Sequence, residues 1–256
     1  MLHISLVAEK LGALWGFPVT NSLLTAWVTM LVLVLLSVIG TRRLSLVPSN
    51  AQSVAEFVVG GLYDFFGQIS GPRYIRRFFP LLASLFLFIV AANWVGLLPG
   101  VGTIGFHHEK ETAQHAAVPA AEPVFTPLLR AATADLNMTV GLAIVAVIAI
   151  QFFGFAILGR RYSSKFLNFS SPIMFFLGIL ELISEFSRII SFAFRLFGNI
   201  FAGEVLLAVM AFLMPFVVPL PFLFMELFVG FIQALVFSML TAVFLNVAVL
   251  HGEEHA

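Results

Sequence analysis

Charged residues interrupt a long apolar segment in the last third of the chain. Glu181, Arg188 and Arg195 follow one another at intervals of seven residues, and Glu204 comes nine residues after Arg195. A charged side chain inside a lipid bilayer costs roughly 2.5 kcal/mol or more. These residues are therefore candidates for a function rather than for packing. The sequence leaves one main question, which is what group Arg195 meets.

Helical geometry places most of these side chains along one stripe. Each residue of an α-helix turns by about 100°, so positions seven apart differ by only about 20°. Glu181, Arg188 and Arg195 share that stripe, and Glu185 lies within a further 40° or so of it. Glu204 lies about 180° around the helix from Arg195 and about 13 Å along its axis. Glu204 must therefore face a different neighbour.

The next apolar segment carries a sparser set of polar residues. Glu226 and Gln233 are seven residues apart and so share one helical face. Before this segment stand Pro215, Pro219 and Pro221. These prolines predict a turn between two long helices, which would then form an antiparallel hairpin.

The predicted hairpin sorts the ionisable residues into two groups. Glu204 and Glu226 lie near the turn, and Gln233 lies deeper, level with Asn199 or Arg195. The other carboxyl groups lie toward the opposite membrane surface. A carboxyl group in a low-dielectric medium can bind and release a proton near neutral pH, whereas a guanidinium does not deprotonate. Arg195 would therefore be a fixed positive charge between the groups, a barrier to protons and an attractor for a carboxylate.

Local ion pairing is the alternative interpretation of these charges. Glu185 and Arg188 are three residues apart and could pair within one helix. Arg195 has no carboxylate three or four residues away on either side. Those positions hold Ser191, Phe192, Gly198 and Asn199. The partner of Arg195 must lie elsewhere in this chain or on another chain.

Composition indicates which kind of protein must position these side chains. The chain has 256 residues, 61% of them hydrophobic and 10% charged, with a mean hydropathy of +1.06. Soluble domains contain about 25% charged residues, so this composition indicates an integral membrane protein. The net charge of zero argues against nucleic acid as a partner. The absence of cysteine excludes a disulfide and a thiolate metal site.

The apolar runs predict an all-α membrane protein of one domain with about five crossing helices, the last two forming a tilted hairpin. The predicted membrane helices span residues 22–40, 78–98, 136–158, 172–214 and 221–250. Residues 48–70 predict an amphipathic helix at the membrane interface that ends at Gly71. Residues 99–134 read as an external polar loop. Its histidines match no metal-site spacing, and we expect neither a metal nor a cofactor.

Capping residues mark two of the predicted helix starts. Ser49 or Asn50 could cap the interfacial helix, and Thr133 or Asp135 could cap the third membrane helix. Residues 1–21 lack the pattern of a signal peptide or of a transit peptide, and we expect an amphipathic surface segment there.

Lysine and arginine counts predict the orientation. Residues 41–78 hold five and residues 159–171 hold three, whereas residues 99–134 hold two and the tail 251–256 holds none. The positive-inside rule places the arginine-rich loops in the cytoplasm. We therefore expect the N-terminus and the loop 99–134 outside, and the C-terminus in the cytoplasm.

A specific motif surrounds the central arginine. It reads Phe194-Arg195-Leu196-Phe197-Gly198-Asn199 and continues as Phe201-Ala202-Gly203-Glu204. Further matches are Ala134-Asp135-Leu136-Asn137-Met138-Thr139, the run from Asn93 to Pro99, and Gln233-Ala234 with Phe237. In these motifs the chain resembles subunit a of the F-type ATP synthase, and the resemblance covers nearly the whole chain.

The resemblance implies a non-catalytic stator in a rotary membrane motor. A ring of c subunits, each with one buried carboxylate, would turn against this chain and exchange protons through two offset half-channels. Arg195 would meet the deprotonated ring carboxylate and block direct proton leak. Other implied partners are the peripheral stalk of subunit b, or of b and b′, the rest of the ATP synthase and the lipid bilayer. ATP would be made in the separate catalytic head, since this chain has no P-loop.

The resemblance also assigns residues to each half-channel. The outer half-channel would be lined by Glu204, Glu226, Asn199 and Gln233. The cytoplasmic half-channel would be lined by Glu181, Glu185 and Ser187, with Arg188 nearby. Some family members carry a histidine at one of the two outer acidic positions, and here both positions are glutamates.

Two other classes of protein predict different features. A stand-alone proton-coupled secondary transporter or ion channel would show inverted repeats and broken helices, and the sequence shows no internal repeat. A purely structural membrane subunit would leave Arg195 without a role. The lack of a transit peptide favours a bacterial inner membrane, with an organelle inner membrane as the alternative.

Overall fold

Five long helices make up most of the part of the chain that the structure describes. This computed structural model describes residues 9–14, 17–42, 45, 48–98, 100–101, 104–108, 124–159, 162, 166, 172–214 and 217–250. The helices are α1 (Asn21–Thr41), α2 (Asn50–Leu97), α3 (Leu136–Leu158), α4 (Pro172–Leu213) and α5 (Pro219–Leu250). Each is long and apolar enough to cross a bilayer. The predicted fold class, an all-α membrane protein with five crossing helices, is confirmed.

Two short β-hairpins lie within residues 1–21 and 99–134, where no strand was predicted from the sequence. Strands β1 (Lys10–Leu14) and β2 (Phe17–Thr20) pair antiparallel just before α1. Strands β3 (Gly105–His108) and β4 (Val124–Pro127) pair antiparallel within the predicted polar loop. Strands of four or five residues are too short to show a clear alternation of apolar and polar residues. Sequence reasoning therefore missed these strands, and the amphipathic surface segment at 1–21 and the external polar loop at 99–134 stay predictions.

Helix α2 consists of two helical parts joined at Gly71. The backbone at Gly71 has φ of 72° and ψ of 161°, a conformation that only glycine adopts without strain. Pro72 begins the second part, where its missing N–H costs nothing. Ser49 caps the first part by accepting a hydrogen bond from the backbone N–H of Gln52 at 3.4 Å. The break separates the predicted interfacial helix from the second membrane helix.

A 3₁₀ turn at Ala132–Ala134 leads into α3. Asp135 caps α3, because its Oδ1 accepts a hydrogen bond from the backbone N–H of Asn137 at 3.0 Å. Thr133, the other capping candidate, instead donates its hydroxyl hydrogen bond to Oδ1 of Asn93 at 2.6 Å. The turn is thereby tied to α2 as well as to α3.

Helices α2, α3, α4 and α5 enclose the core. The most extensive contact joins α2 to α5, and α3 packs against both α4 and α5. The largest fully buried side chains include Phe66, Phe78, Phe192 and Phe237. Helix α1 is buried only at its start, and its later apolar residues such as Ile39 are exposed. That exposed surface suits contact with lipid.

Some residues on which predictions were made lie outside the described part of the chain. They are the tail 251–256, the proline at 215, His115 and the basic residues at 160, 161 and 165. The side chains of His107 and His108 also lie outside the description.

Candidate functional site

The polar residues of α4 and α5 meet across an antiparallel hairpin. Nδ2 of Asn199 donates a hydrogen bond to Oε1 of Gln233 at 3.5 Å. One turn nearer to the hairpin end, the backbone of Gly203 lies against the carboxyl group of Glu226. Pro219 stands at the start of α5, a position where the missing N–H is tolerated. The hairpin therefore places Gln233 level with Asn199, and Glu226 level with Gly203.

Glu226 and Gln233 are buried between the helices. Their residues are 4% and 7% exposed, respectively. Within the described part of the chain, Oε1 of Glu226 and Nε2 of Gln233 have no hydrogen-bond partner. A buried polar group without a partner costs about 1–3 kcal/mol and calls for an explanation. Oε1 of Glu226 can accept a proton or a hydrogen bond from water, and Nε2 of Gln233 can donate a hydrogen bond to water.

Gly203 provides the room that Glu226 occupies. A Cβ atom at position 203 would overlap the carboxyl carbon and both carboxyl oxygens of Glu226. The motif glycine before Glu204 is thus explained by the side chain of the facing helix. Gly198, the other glycine of the motif, has open space where a Cβ would stand.

Glu204 forms an ion pair with Arg130. Nη2 of Arg130 donates to Oε2 of Glu204 at 2.9 Å, and Nε donates to Oε1 at 3.1 Å. The side chains are 8% exposed for Arg130 and 36% exposed for Glu204. Sequence reasoning missed Arg130, because 74 residues separate the partners and no periodicity links them. The only signal was an isolated arginine directly before the third apolar run.

Glu185 and Arg188 form an ion pair within α4. Nη1 of Arg188 donates to Oε2 of Glu185 at 2.6 Å and to Oε1 at 2.7 Å. The guanidinium of Arg188 also lies over the ring of Phe244 on α5, 3.9 Å from its centroid. The local pair considered from the sequence is therefore present, and Arg188 is fixed by a cation–π contact as well.

Tyr162 adjoins this inner pair and was not recognised from the sequence. Its ring fills the space beside Gly154, where a Cβ would collide with it. Its hydroxyl donates a hydrogen bond to Oε1 of Gln151 at 2.7 Å. Burial, with the nearby charge of Glu185, raises the pKa of Tyr162 to about 12. The phenol is therefore a neutral hydrogen-bond donor at physiological pH.

The other predicted inner residues lie on the same helix with different exposure. Glu181 is half-buried, one turn before Glu185. Ser187 is exposed, and its position on α4 is about 100° around the helix from its neighbour Arg188. The structure thus brings Glu185 and Arg188 together and leaves Ser187 on the exposed face. Among the described residues, no three His, Asp or Glu side chains are grouped as metal ligands.

Arg195 is exposed on α4 between the two groups. Its Nη2 donates a hydrogen bond to Oγ of Ser191 at 3.3 Å. No carboxylate of the described residues forms a salt bridge with it. Along the helix axis Arg195 lies about 15 Å from Glu185 and about 13 Å from Glu204.

Small residues surround Arg195 on the exposed face. They are Ser191, Gly198 and Ala202, all exposed. Small side chains allow the backbone of another membrane helix to approach closely. The exposed guanidinium therefore stands on a surface that another helix can reach.

The fold and this hairpin define an integral membrane protein that holds carboxyl and guanidinium groups at bilayer depth, as ion-translocating proteins do. Residues 23–246 match the family described as "ATP synthase A chain". The chain therefore belongs to the ATP synthase A chain family.

Curated relatives agree with the family match. The chain is 36% identical over 239 residues to "ATP synthase subunit a" of Gloeobacter violaceus (strain ATCC 29082 / PCC 7421), with 92% of this chain and 86% of the relative covered. It is 34% identical over 235 residues to proteins of the same name from Geobacter sp. (strain M21) and Citrifermentans bemidjiense, with 91% of this chain and 89% of each relative covered. The resemblance predicted from the motifs is confirmed. Family membership makes the chain a multi-pass, non-catalytic membrane subunit of ATP synthase, associated with proton transport.

Proposed function

We propose that this chain is the stator that couples proton flow to rotation of a c-ring, through two offset half-channels separated by Arg195. One observation carries the proposal. Arg195 is exposed on α4, it pairs with no carboxylate of the described residues, and it lies between two groups of ionisable side chains. An exposed cation at bilayer depth needs an anion, and the ring carboxylate supplies one.

Arg195 would act as a fixed charge at the rotor surface. A deprotonated ring carboxylate arriving there gains the attraction of the guanidinium, and a protonated one does not. Because arginine keeps its proton, it cannot pass protons from one half-channel to the other. Each proton that crosses the membrane carries about 2.3 kcal/mol per 100 mV, which a leak past Arg195 would dissipate without rotation.

The two groups of the hairpin would serve opposite membrane surfaces. Glu204, Glu226, Asn199 and Gln233 would line the outer path near the hairpin end. Glu181, Glu185, Ser187 and Arg188 would line the cytoplasmic path. The burial of Glu226 and Gln233 supports the outer path, and the burial of Glu185 supports the inner one. Since Glu204 lies about 180° around α4 from Arg195, the outer path would approach the rotor from a different side.

The orientation and partners follow the same proposal. The arginine-rich loops would face the cytoplasm of a bacterium, with the N-terminus outside and the C-terminus inside. The relatives named above are bacterial, which supports a bacterial inner membrane. Subunit b, or b and b′, would hold this chain against the rotor as the peripheral stalk.

Proton-driven ATP synthesis in membrane vesicles tests the proposal. Arg195→Ala should abolish synthesis while the subunit remains assembled. Arg77→Ala removes another exposed arginine, from α2, and should leave synthesis near the wild-type rate. Synthesis at the wild-type rate in Arg195→Ala would contradict the proposal. Solute uptake by vesicles that contain this chain alone would instead indicate a secondary transporter.

A further inference from the structure

We propose that the two outer glutamates have different tasks, Glu204 being held as the anion of an ion pair by Arg130 and Glu226 being the carboxyl that exchanges protons. The inference rests on the proposed function, because it divides the outer half-channel assigned there. Arg130 is in this view a positioning residue. It acts through Glu204 and does not itself transfer a proton.

The geometry of the Arg130–Glu204 pair supports a structural task for Glu204. Both carboxyl oxygens accept hydrogen bonds from Arg130, at 2.9 to 3.3 Å. A guanidinium with two donors on one carboxylate forms the strongest and most directional kind of ion pair. The side chain of Arg130 is 8% exposed, so its charge requires a nearby anion. Removing that anion would leave a buried, uncompensated cation.

Two hydrogen bonds join the backbone around Arg130 to α1. Its N–H donates to Oγ1 of Thr25 on α1 at 3.2 Å. Nδ2 of Asn21, also on α1, donates to the backbone carbonyl of Pro127 at 3.3 Å. The 3₁₀ turn and the capping Asp135 follow directly. The backbone from which the Arg130 side chain reaches Glu204 is therefore tied to α1 and leads directly into the start of α3.

Glu226 has a contrasting environment. It is 4% exposed, and no described basic residue forms a salt bridge with it. Its Oε1 accepts no hydrogen bond from the described part of the chain. Burying a carboxylate without a counter-charge is far more costly than burying the neutral acid. Glu226 can therefore alternate between a protonated resting form and a transient anion, whereas Glu204 stays ionised in its ion pair with Arg130.

Four variants test the division of tasks. They are Arg130→Gln, Glu204→Gln, the neutral double variant Arg130→Gln/Glu204→Gln, and the swap Arg130→Glu/Glu204→Arg. Glu226→Gln is the matched control on the facing helix. The measurement is passive proton flux through vesicles stripped of the catalytic head, divided by the amount of assembled subunit. This ratio separates an effect on the proton path from a loss of assembly.

We expect each single variant of the pair to lower the flux per assembled subunit by about tenfold or more, because it leaves the remaining partner without its counter-charge and free to move from its place in the path. The swap should restore most of the flux, because it restores the ion pair although position 204 no longer carries a carboxyl. Where the swap assembles poorly, the neutral double variant decides and should exceed both single variants. Glu226→Gln should abolish flux, and no change at position 130 should rescue it.

Two results would overturn the inference. Unchanged flux in Arg130→Gln would show that the cation does not position Glu204. Flux that is lost equally in Glu204→Gln, the neutral double variant and the swap, all at normal assembly, would show that Glu204 itself exchanges protons. A different result would count against the proposed function. Wild-type flux in Glu226→Gln would contradict the proposed outer half-channel, whatever result the variants of the Arg130–Glu204 pair give.

Discussion

Gly203→Ala tests whether close contact between α4 and α5 places Glu226. A Cβ at this position would overlap the carboxyl carbon and both oxygens of Glu226, so the carboxyl must rotate away or the helices must separate. Glycine to alanine in a helix interior stabilises by about 1 kcal/mol. Overpacking a filled site costs typically about 1–3 kcal/mol. The net effect should therefore lie between no change and a destabilisation of about 2 kcal/mol.

Gly198→Ala supplies the matched control on the same helix. Its Cβ would meet no atom within 4 Å, so this change should bring the helical gain alone. The thermal midpoint of the subunit in detergent should rise for Gly198→Ala, and it should stay level or fall for Gly203→Ala. The double variant Gly203→Ala/Glu226→Ala should regain the rise, because the collision is gone. An equal rise for both single glycine variants, with proton flux retained in Gly203→Ala, would refute the placement of Glu226.

Two further predictions concern buried hydrogen bonds. Asn93→Ala removes a hydrogen bond of 2.9 Å to α5 and one of 2.6 Å to the 3₁₀ turn. The change should destabilise the detergent-solubilised subunit by about 1–2 kcal/mol. Asn137→Ala, at an exposed position, is the control and should leave the stability unchanged. An unchanged midpoint in Asn93→Ala would contradict this role. Tyr162→Phe should cost about 1–3 kcal/mol because Gln151 loses its donor, and Tyr63→Phe serves as the control. The pKa of Tyr162 is raised from its usual 10.0 to about 12, so the free energy that its neutral hydroxyl contributes to folding is present below pH 10 and is lost as the pH rises through about 12. The wild-type subunit should therefore lose stability more steeply than Tyr162→Phe between pH 10 and about pH 12. An equal loss in both would contradict the burial of Tyr162.

The apolar runs and the glycine and proline residues at turns were sufficient to predict most of the helical architecture. The predicted third helix, 136–158, has the same bounds as α3, and the hairpin helices begin and end within two residues of the predicted positions. The glycine–proline pair at 71–72 marked the break in α2 for a physical reason, since the backbone there needs a positive φ. These features depend on interactions between residues close together in the chain, so they can be predicted from the sequence.

The remaining features depend on contacts between distant segments. The pairing of Arg130 with Glu204 crosses 74 positions, and that of Asn93 with Gly230 crosses 137. Neither leaves a pattern along the chain, because one side chain meets another only after the helices have packed. The β-hairpins were missed for a different reason, since four-residue strands are too short for a periodic signal.

The spacing of the charged residues was informative, but it did not assign their partners. Helical azimuth correctly separated Glu204 from the stripe of Arg195, and the structure then shows Glu204 facing Arg130. It also left open whether Glu185 and Arg188 pair, which they do. The exposure of Arg195 could not be deduced from azimuth alone, since it depends on which face of α4 the other helices cover.

The most direct test of the central claim is the proton permeability of vesicles that contain the intact ATP synthase at rest, with the catalytic head attached and no nucleotide. Rotation is then blocked, so a proton can cross only by passing directly between the half-channels. Arg195→Ala should make these vesicles leaky, whereas the wild-type enzyme and Arg195→Lys, which keeps the positive charge, should hold a proton gradient. A gradient held equally well by Arg195→Ala would contradict the role of Arg195 as the barrier between the two paths.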